Sequence, residues 1–226
     1  MNGMPRARLF FEGQLIHFAA LAVLLSVVYG LRRVPGFEQG GFLDIPTSSW
    51  AIFAIANAVI HQVFVWLCWR AELHGHLLTK WFGGKAFGLY AALFSILFVL
   101  RPLLLFALGW ANRGSLNINL WFGYAVSALM FFCVIYLMYS IIHYFSFSRA
   151  FGIDHFDPQY RSAPLIRQGI FRWSPNAMYV FGFAAIWIPA FLFQSVTACI
   201  VAAFSHAYIW VHYHATEKPD MKRIYG

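Results

Sequence analysis

The stretch 120-LWFGYAVSALMFFCVIYLMYSIIHY-144 runs for 25 residues without Asp, Glu, Lys or Arg. As an α-helix it would be about 37 Å long, enough to cross the ~30 Å hydrocarbon core of a bilayer. It shows no sustained alternation of apolar and polar residues, so it does not read as a barrel strand. Five more apolar stretches of similar length follow the same reading: Gln14–Leu31, Ser49–Trp69, Phe87–Trp110, Ala177–Phe193 and Ser195–Tyr213. The expected fold class is all-α, a polytopic transmembrane bundle of about six spans forming one integral membrane domain over residues 1–226.

Composition agrees. Of 226 residues, 61% are hydrophobic and 11% charged, against roughly 45–50% and about 25% in a soluble domain. That excludes an ordinary soluble domain and, more firmly, disorder. The net charge of +8 does not point to nucleic acid, because the basic residues stand between apolar runs where headgroups and topology explain them. Cys68, Cys133 and Cys199 lie inside apolar runs with no C-x-x-C spacing, and read as small buried hydrophobes. The first stretch, although preceded by Arg6 and Arg8, is long for a signal peptide and reads as an uncleaved anchor.

If every stretch crosses, the side holding the first residues carries twelve Lys and Arg and the other carries three, Arg32, Arg33 and Arg113. Such a bias puts the basic side in the cytoplasm, with both termini. Arg101 alone falls inside a span. Its place in the third stretch predicts that it reaches the outer interface rather than gripping a lipid phosphate.

Phe193-Gln194-Ser195 leaves almost no loop between the last two stretches, so they should form a tight antiparallel hairpin (177–213). The hairpin returns the chain to the side of the 145–173 connection, the richest polar segment. Ser174-Pro175 is a helix start signal, with Arg172 just before it; free amides and a positive dipole end there suit an anionic group. Pro219 is expected to stop the last helix soon after Glu217, leaving bare carbonyls near His212 and His214 for a cationic group. Together these ends suit a zwitterionic ligand. His74-x-His76 with Glu72 and His61 lacks the three or four convergent ligands of a metal site. With Arg70 they are expected to form a polar cap at the interface. His17, His61, His143 and His206 read as hydrogen-bonded packing residues.

The segment Arg167-Gln168-Gly169-Ile170-Phe171-Arg172-Trp173-Ser174-Pro175-Asn176-Ala177-Met178-Tyr179 resembles the G-x-[YF]-R-x-x-R-[HN]-P-M-Y element of the integral-membrane methyltransferases. That superfamily includes phosphatidylethanolamine N-methyltransferases and isoprenylcysteine carboxyl methyltransferases. Glu217-Lys218-Pro219-Asp220-Met221, followed by Ile224-Tyr225-Gly226, is similar to its C-terminal E-E-x-x-L-x-x-x-[FY]-G element, one hairpin away. Departures are present: Pro175 stands for an arginine, Ala177 for the proline, Lys218 for the second glutamate. The glycine that follows the tyrosine falls on Phe181, with Gly182 one further on.

The resemblance implies that residues 120–226 are the catalytic half and residues 1–119 the supporting spans. It implies S-adenosylmethionine as cofactor, held by Arg172, Asn176, Tyr179, Gly182, His214 and Glu217. It also implies a membrane lipid acceptor, with Asn-x-Met-Tyr nearer the ethanolamine-lipid branch. An ethanolamine ammonium must lose a proton before it can attack, and Asp154, His155, Asp157 and His214 are the candidates to take it. The same cofactor could instead serve a prenylcysteine carboxylate or a small thiol or amine. A membrane reductase using NADPH shares the C-terminal architecture, but no extra basic cluster for a 2′-phosphate lies between Asp154 and Glu217.

Overall fold

A computed structural model describes residues 5–162, 164 and 166–226; Met1–Met4, and Ala163 and Leu165 within the 145–173 connection, lie outside the described residues. Helices α1 (Arg6–Phe11) and α2 (Gln14–Leu31) make one apolar run, interrupted at Gly13. A long loop leads to α3 (Thr47–Gly75), followed by the short α4 (Leu77–Phe82) and α5 (Ala86–Ala111). Then come α6 (Leu120–Ser140), α7 (Phe147–Ala150), α8 (Ala184–Leu192), α9 (Val196–His212) and α10 (Lys218–Tyr225). A two-residue ribbon, Gly41–Phe42 against Ile45–Pro46, lies in the α2–α3 loop, where no strand is expected from the sequence. It turns through Leu43 and Asp44, both at positive φ, as a tight two-residue hairpin requires.

Among the described residues, five helices are long and apolar enough to cross a membrane: Arg6–Leu31, Thr47–Gly75, Leu77–Ala111, Leu120–Phe145 and Val196–Tyr225. The protein is a multi-pass membrane helical bundle. The sixth apolar stretch is shorter than expected. It gives only the helix Met178–Leu192, about 22 Å long and short of the hydrocarbon thickness. Residues around Pro175 are spent on a turn, Met178–Gly182 form a wide π-turn, and Gln194 at φ 52° closes the reverse turn into α9.

Within the bundle α3 packs on α5, α6 on α8 and α2 on α9. The largest core cluster mixes small and branched residues: Ala51, Ala54, Leu105, Leu108, Ile186, Ala190, Ala198, Val201 and Ala202. Small side chains let apolar helices approach closely when no water drives them together. At Gly109 a β-carbon would lie 2.9 Å from the Pro189 carbonyl oxygen, and at Gly123 2.7 Å from that of Phe191. Large apolar side chains such as Leu15, Trp121, Leu129 and Phe132 point outward instead, toward lipid.

One end of the bundle is stitched by Asn112, which is buried. Its amide donates to the carbonyls of Gly36 and Gln39, and its oxygen accepts from Ser195 Oγ at 2.8 Å and the Thr197 amide at 3.0 Å. This levels α5 with the start of α9 and gives a common origin for depth along the bundle.

At the other end Pro219 does not stop the last helix. The chain runs from α9 through a π-turn, Tyr213–Glu217, into α10, with Pro219 in its first turn where no intrahelical N–H is needed. Pro219 has no N–H for the Ala215 carbonyl four residues back, and Gly13 packs directly against that oxygen. A side chain at Gly13 would collide with it. Gln14 then donates to Thr216 Oγ1 at 3.1 Å, so the break in α1–α2 fits the wide turn in α9–α10.

Candidate functional site

The π-turns of the two closing helices face each other and bring two predicted residues together: the Tyr179 hydroxyl donates to the Glu217 carboxylate. A π-turn widens the helix and re-aims its side chains, which is why such turns gather at functional sites. The Tyr179 ring sits at 5.8 Å from that of Trp210, 5.7 Å from Tyr213 and 6.2 Å from Phe183. A carboxylate therefore stands beside a group of aromatic rings, a setting that accepts hydrogen bonds and favours a cation.

Behind this pair lies a network of buried charge. Arg70 of α3 and Asp220 of α10, both without solvent exposure, pair at 2.7 Å; Arg70 also donates to the carbonyls of Leu9 and Thr216. His155, fully buried in the 145–173 connection, stacks on Trp69 with ring centroids 4.1 Å apart. Its Nδ1 donates to the Gly152 carbonyl at 3.2 Å and lies 3.7 Å from Asp154; its Nε2 lies 3.7 Å from Asp220. The Tyr225 hydroxyl donates to Asp154 at 2.6 Å. Arg223 meets Asp220 at 3.4 Å and pairs with Glu12.

Burial alone would push the His155 imidazole down, but the carboxylates of Asp154 and Asp220 outweigh it and hold its pKa above the ordinary value. Burial alone would push Asp154 up; its contacts with His155 and Tyr225 outweigh that and hold it below the usual carboxylate range. Both directions favour a charged His155 clasped between charged carboxylates.

The other predicted residues do not converge on Glu217. Arg172 is exposed, its guanidinium 5.0 Å from the Trp173 ring. Asn176 lies in the turn before the π-helix, its amide donating to Ser174 Oγ at 3.1 Å and its carbonyl accepting from Tyr179 and Val180. Gly182 packs on α6, where a β-carbon would lie 2.7 Å from Leu137. His214 is exposed, against Tyr213 and Trp210. Asp157 caps its own turn, accepting from the Gln159 amide at 2.9 Å. The bare carbonyls foreseen after Glu217 are absent because the helix continues.

Several residues were missed or misread. Asp220 and Tyr225 stand out in the sequence only within a motif and Arg223 only as one of the basic residues, and nothing in the sequence pairs Asp220 with Arg70 across 150 positions. Glu72 does cap the α3 end, accepting from the Thr79 amide and hydroxyl at 3.0 and 2.6 Å. Arg101 does not reach an interface: it is 6% exposed and turned into the bundle. No group of three or more His, Cys, Asp or Glu able to hold a metal occurs among the described residues.

Residues 118–226 match the family model described as phospholipid methyltransferase. The match takes in a little under half of the chain and contains both Tyr179 and Glu217. That part of the chain is similar to the phospholipid methyltransferases. A stretch of 73 residues is 36% identical to a phosphatidylethanolamine N-methyltransferase of Clavispora lusitaniae, and 32% identical to those of Scheffersomyces stipitis and Meyerozyma guilliermondii. The stretch takes in 32% of this chain and 8% of the length of each relative. No solved structure matches the chain.

Proposed function

We propose that the protein is an enzyme that moves a methyl group from S-adenosylmethionine to the amine of an ethanolamine phospholipid or its methylated derivatives, with both ends of the chain in the cytoplasm. The observation that carries this is the Glu217–Tyr179 contact, set among aromatic rings inside the family match.

The residues fit the cofactor's chemistry. Glu217 and Tyr179 would hold its ammonium or ribose hydroxyls. The rings of Tyr179, Trp210 and Tyr213 offer faces to a sulfonium. Arg172, free of any carboxylate partner among the described residues, would take its carboxylate. When bound, the cofactor supplies an electrophilic methyl on sulfur. The chain's part is to align the acceptor amine with that methyl and to exclude water.

His155 is clasped between Asp154 and Asp220, whose carboxylates raise its pKa and favour its protonated form over the one that would accept the ammonium proton. Its assigned role is to position the 145–173 connection, and Asp154 serves the same contact. Asp157 and His214 stay candidates for the proton. An unchanged pH–rate profile in Asp157→Asn and His214→Gln would give that step to solvent.

The test is purified protein in detergent with methyl-labelled S-adenosylmethionine and a mixed phospholipid extract, followed by lipid chromatography. Label in mono-, di- or trimethylated ethanolamine lipids is expected. Saturable cofactor binding without labelled lipid would move the acceptor to a prenylcysteine carboxylate or a small thiol or amine. Glu217→Ala is expected to abolish cofactor binding by calorimetry; unchanged affinity would remove Glu217 from the site.

A further inference from the structure

Arg101 is buried inside the bundle, and no ion pair of it occurs among the described residues. Its one hydrogen bond runs from a terminal guanidinium nitrogen to the Ala58 carbonyl at 3.3 Å, and its Nε has no partner. A buried guanidinium left without a counter-ion is costly, and inside a membrane such a charge marks a ligand or an ion path. Two histidines stand around it. His61 follows Ala58 by one turn on the same face of α3, and His212 lies near the end of α9. Both are nine-tenths or more buried, and neither ring nitrogen of either has a hydrogen-bond partner. Each is within electrostatic reach of the other and of Arg101.

Each imidazole has an N–H to donate, and with Arg101 Nε these leave three buried donors unmatched around a positive charge that has no counter-ion among the described residues. Hydrophobic packing does not need them, and the fold spends buried polar groups there without return. We infer that Arg101, with His61 and His212, is the anion subsite that holds the phosphodiester of the acceptor lipid.

The placement fits the direction a lipid must point. Counting from the Asn112–Ser195 level, Arg101 lies about 16 Å into the bundle, His212 about 25 Å and Glu217 about 33 Å. The Arg101 guanidinium sits 5.5 Å from the Phe183 ring, and Phe183 is the neighbour of Tyr179. The guanidinium reaches Phe183, so a lipid with its phosphate there would place its amine, two methylenes further on, on the Tyr179 side of Phe183 and short of the Glu217 level. Its acyl chains would trail the other way. Arg101 and His61 belong to spans outside the family match, so the inference gives the first half of the chain a part in acceptor selection.

The proposal rests on the phospholipid methyltransferase reading, and binding separates the two. The full chain in detergent is titrated with dihexanoyl phosphatidylethanolamine, hexadecylamine and S-adenosylmethionine. Arg101→Gln is expected to weaken the phospholipid about tenfold or more, with the other two affinities within about twofold and most of the loss recovered in Arg101→Lys. His61→Leu removes no protein hydrogen bond, so it keeps the fold and should show a smaller loss of the same selectivity. Equal phospholipid affinity in both Arg101→Gln and His61→Leu overturns the proposal. So does a loss confined to S-adenosylmethionine, which would make the anion the donor's carboxylate. Phospholipid binding that depends on Arg101 without methyl transfer leaves the subsite standing and removes the acceptor reading. Methyl transfer to phosphatidylethanolamine with an unchanged KM in both variants does the reverse.

Discussion

Two buried polar clusters sit one above the other in this bundle and differ in one respect. Around Asp220 the charges find partners: Arg70 at 2.7 Å, His155 at 3.7 Å and Arg223 at 3.4 Å. Around Arg101 they do not: Arg101 Nε and every ring nitrogen of His61 and His212 stay unmatched. Hydrogen bonding is incomplete there too, at His155 Nε2 and Asp154 Oδ1, but opposite charges face each other, and the network ties α3, α10 and the 145–173 connection together and so serves the fold. An unpaired one adds nothing to a fold that already closes around it, and its purpose lies in what it can bind.

The comparison breaks most readily at Arg70. Arg70→Met takes the nearest partner from the buried Asp220 carboxylate, leaving only the longer contacts with His155 and Arg223, and unfolding in detergent should show a loss of about 3 kcal/mol. Adding Asp220→Leu should restore most of it; no recovery would mean that Arg70 acts elsewhere. Next comes Gly152, at φ 83° and with a β-carbon position 2.5 Å from the Trp69 ring. Gly152→Ala should cost about 1–3 kcal/mol and raise hydrogen exchange across the 145–173 connection.

A smaller effect follows pH. The folded His155 pKa lies above its ordinary 6.5, so its contribution is complete below that value and lost as pH rises through the folded pKa. The Asp154 contribution is present above its ordinary 3.8 and lost as pH falls through its lower folded value. Exchange in the connection should therefore rise on the alkaline side of 6.5, and His155→Gln should flatten that rise. A rise of the same size in His155→Gln would place the titrating group elsewhere. The smallest effect belongs to the other cluster: His61→Leu should shift stability by no more than about 1 kcal/mol, because it loses the ring contact with Phe94 but no hydrogen bond. A large loss there would make the Arg101 cluster structural and erase the contrast.

How far all this could be read in advance depended on where the information lies. Span positions follow from length and apolarity, local properties, and the α6 stretch quoted at the outset is helical throughout. The Tyr179–Glu217 pairing was foreseeable because one tight hairpin separates two motifs. The shortened α8 was hidden, since a π-turn and the turns at Pro175 and Gln194 leave no mark in hydropathy. Arg101 was misread for a related reason: α5 is apolar all round, so no polar face declares which side turns inward. Arg70 and Asp220 meet only because helices far apart in the chain pack together, which no spacing rule conveys.

The clasp between the first and last helices sets an order of assembly. Gln14 meets Thr216 across 202 positions and Glu12 meets Arg223 across 211. During synthesis α2 must wait in the bilayer, with Gln14 and His17 lacking their partners Thr216 and Tyr208, until α9 and α10 arrive. Non-local closure of that kind is slow, so α2 is inserted well before α9 and α10 and docks only after they arrive. The waiting chain therefore exposes, for most of its making, the very groove into which its own closing helices must fit.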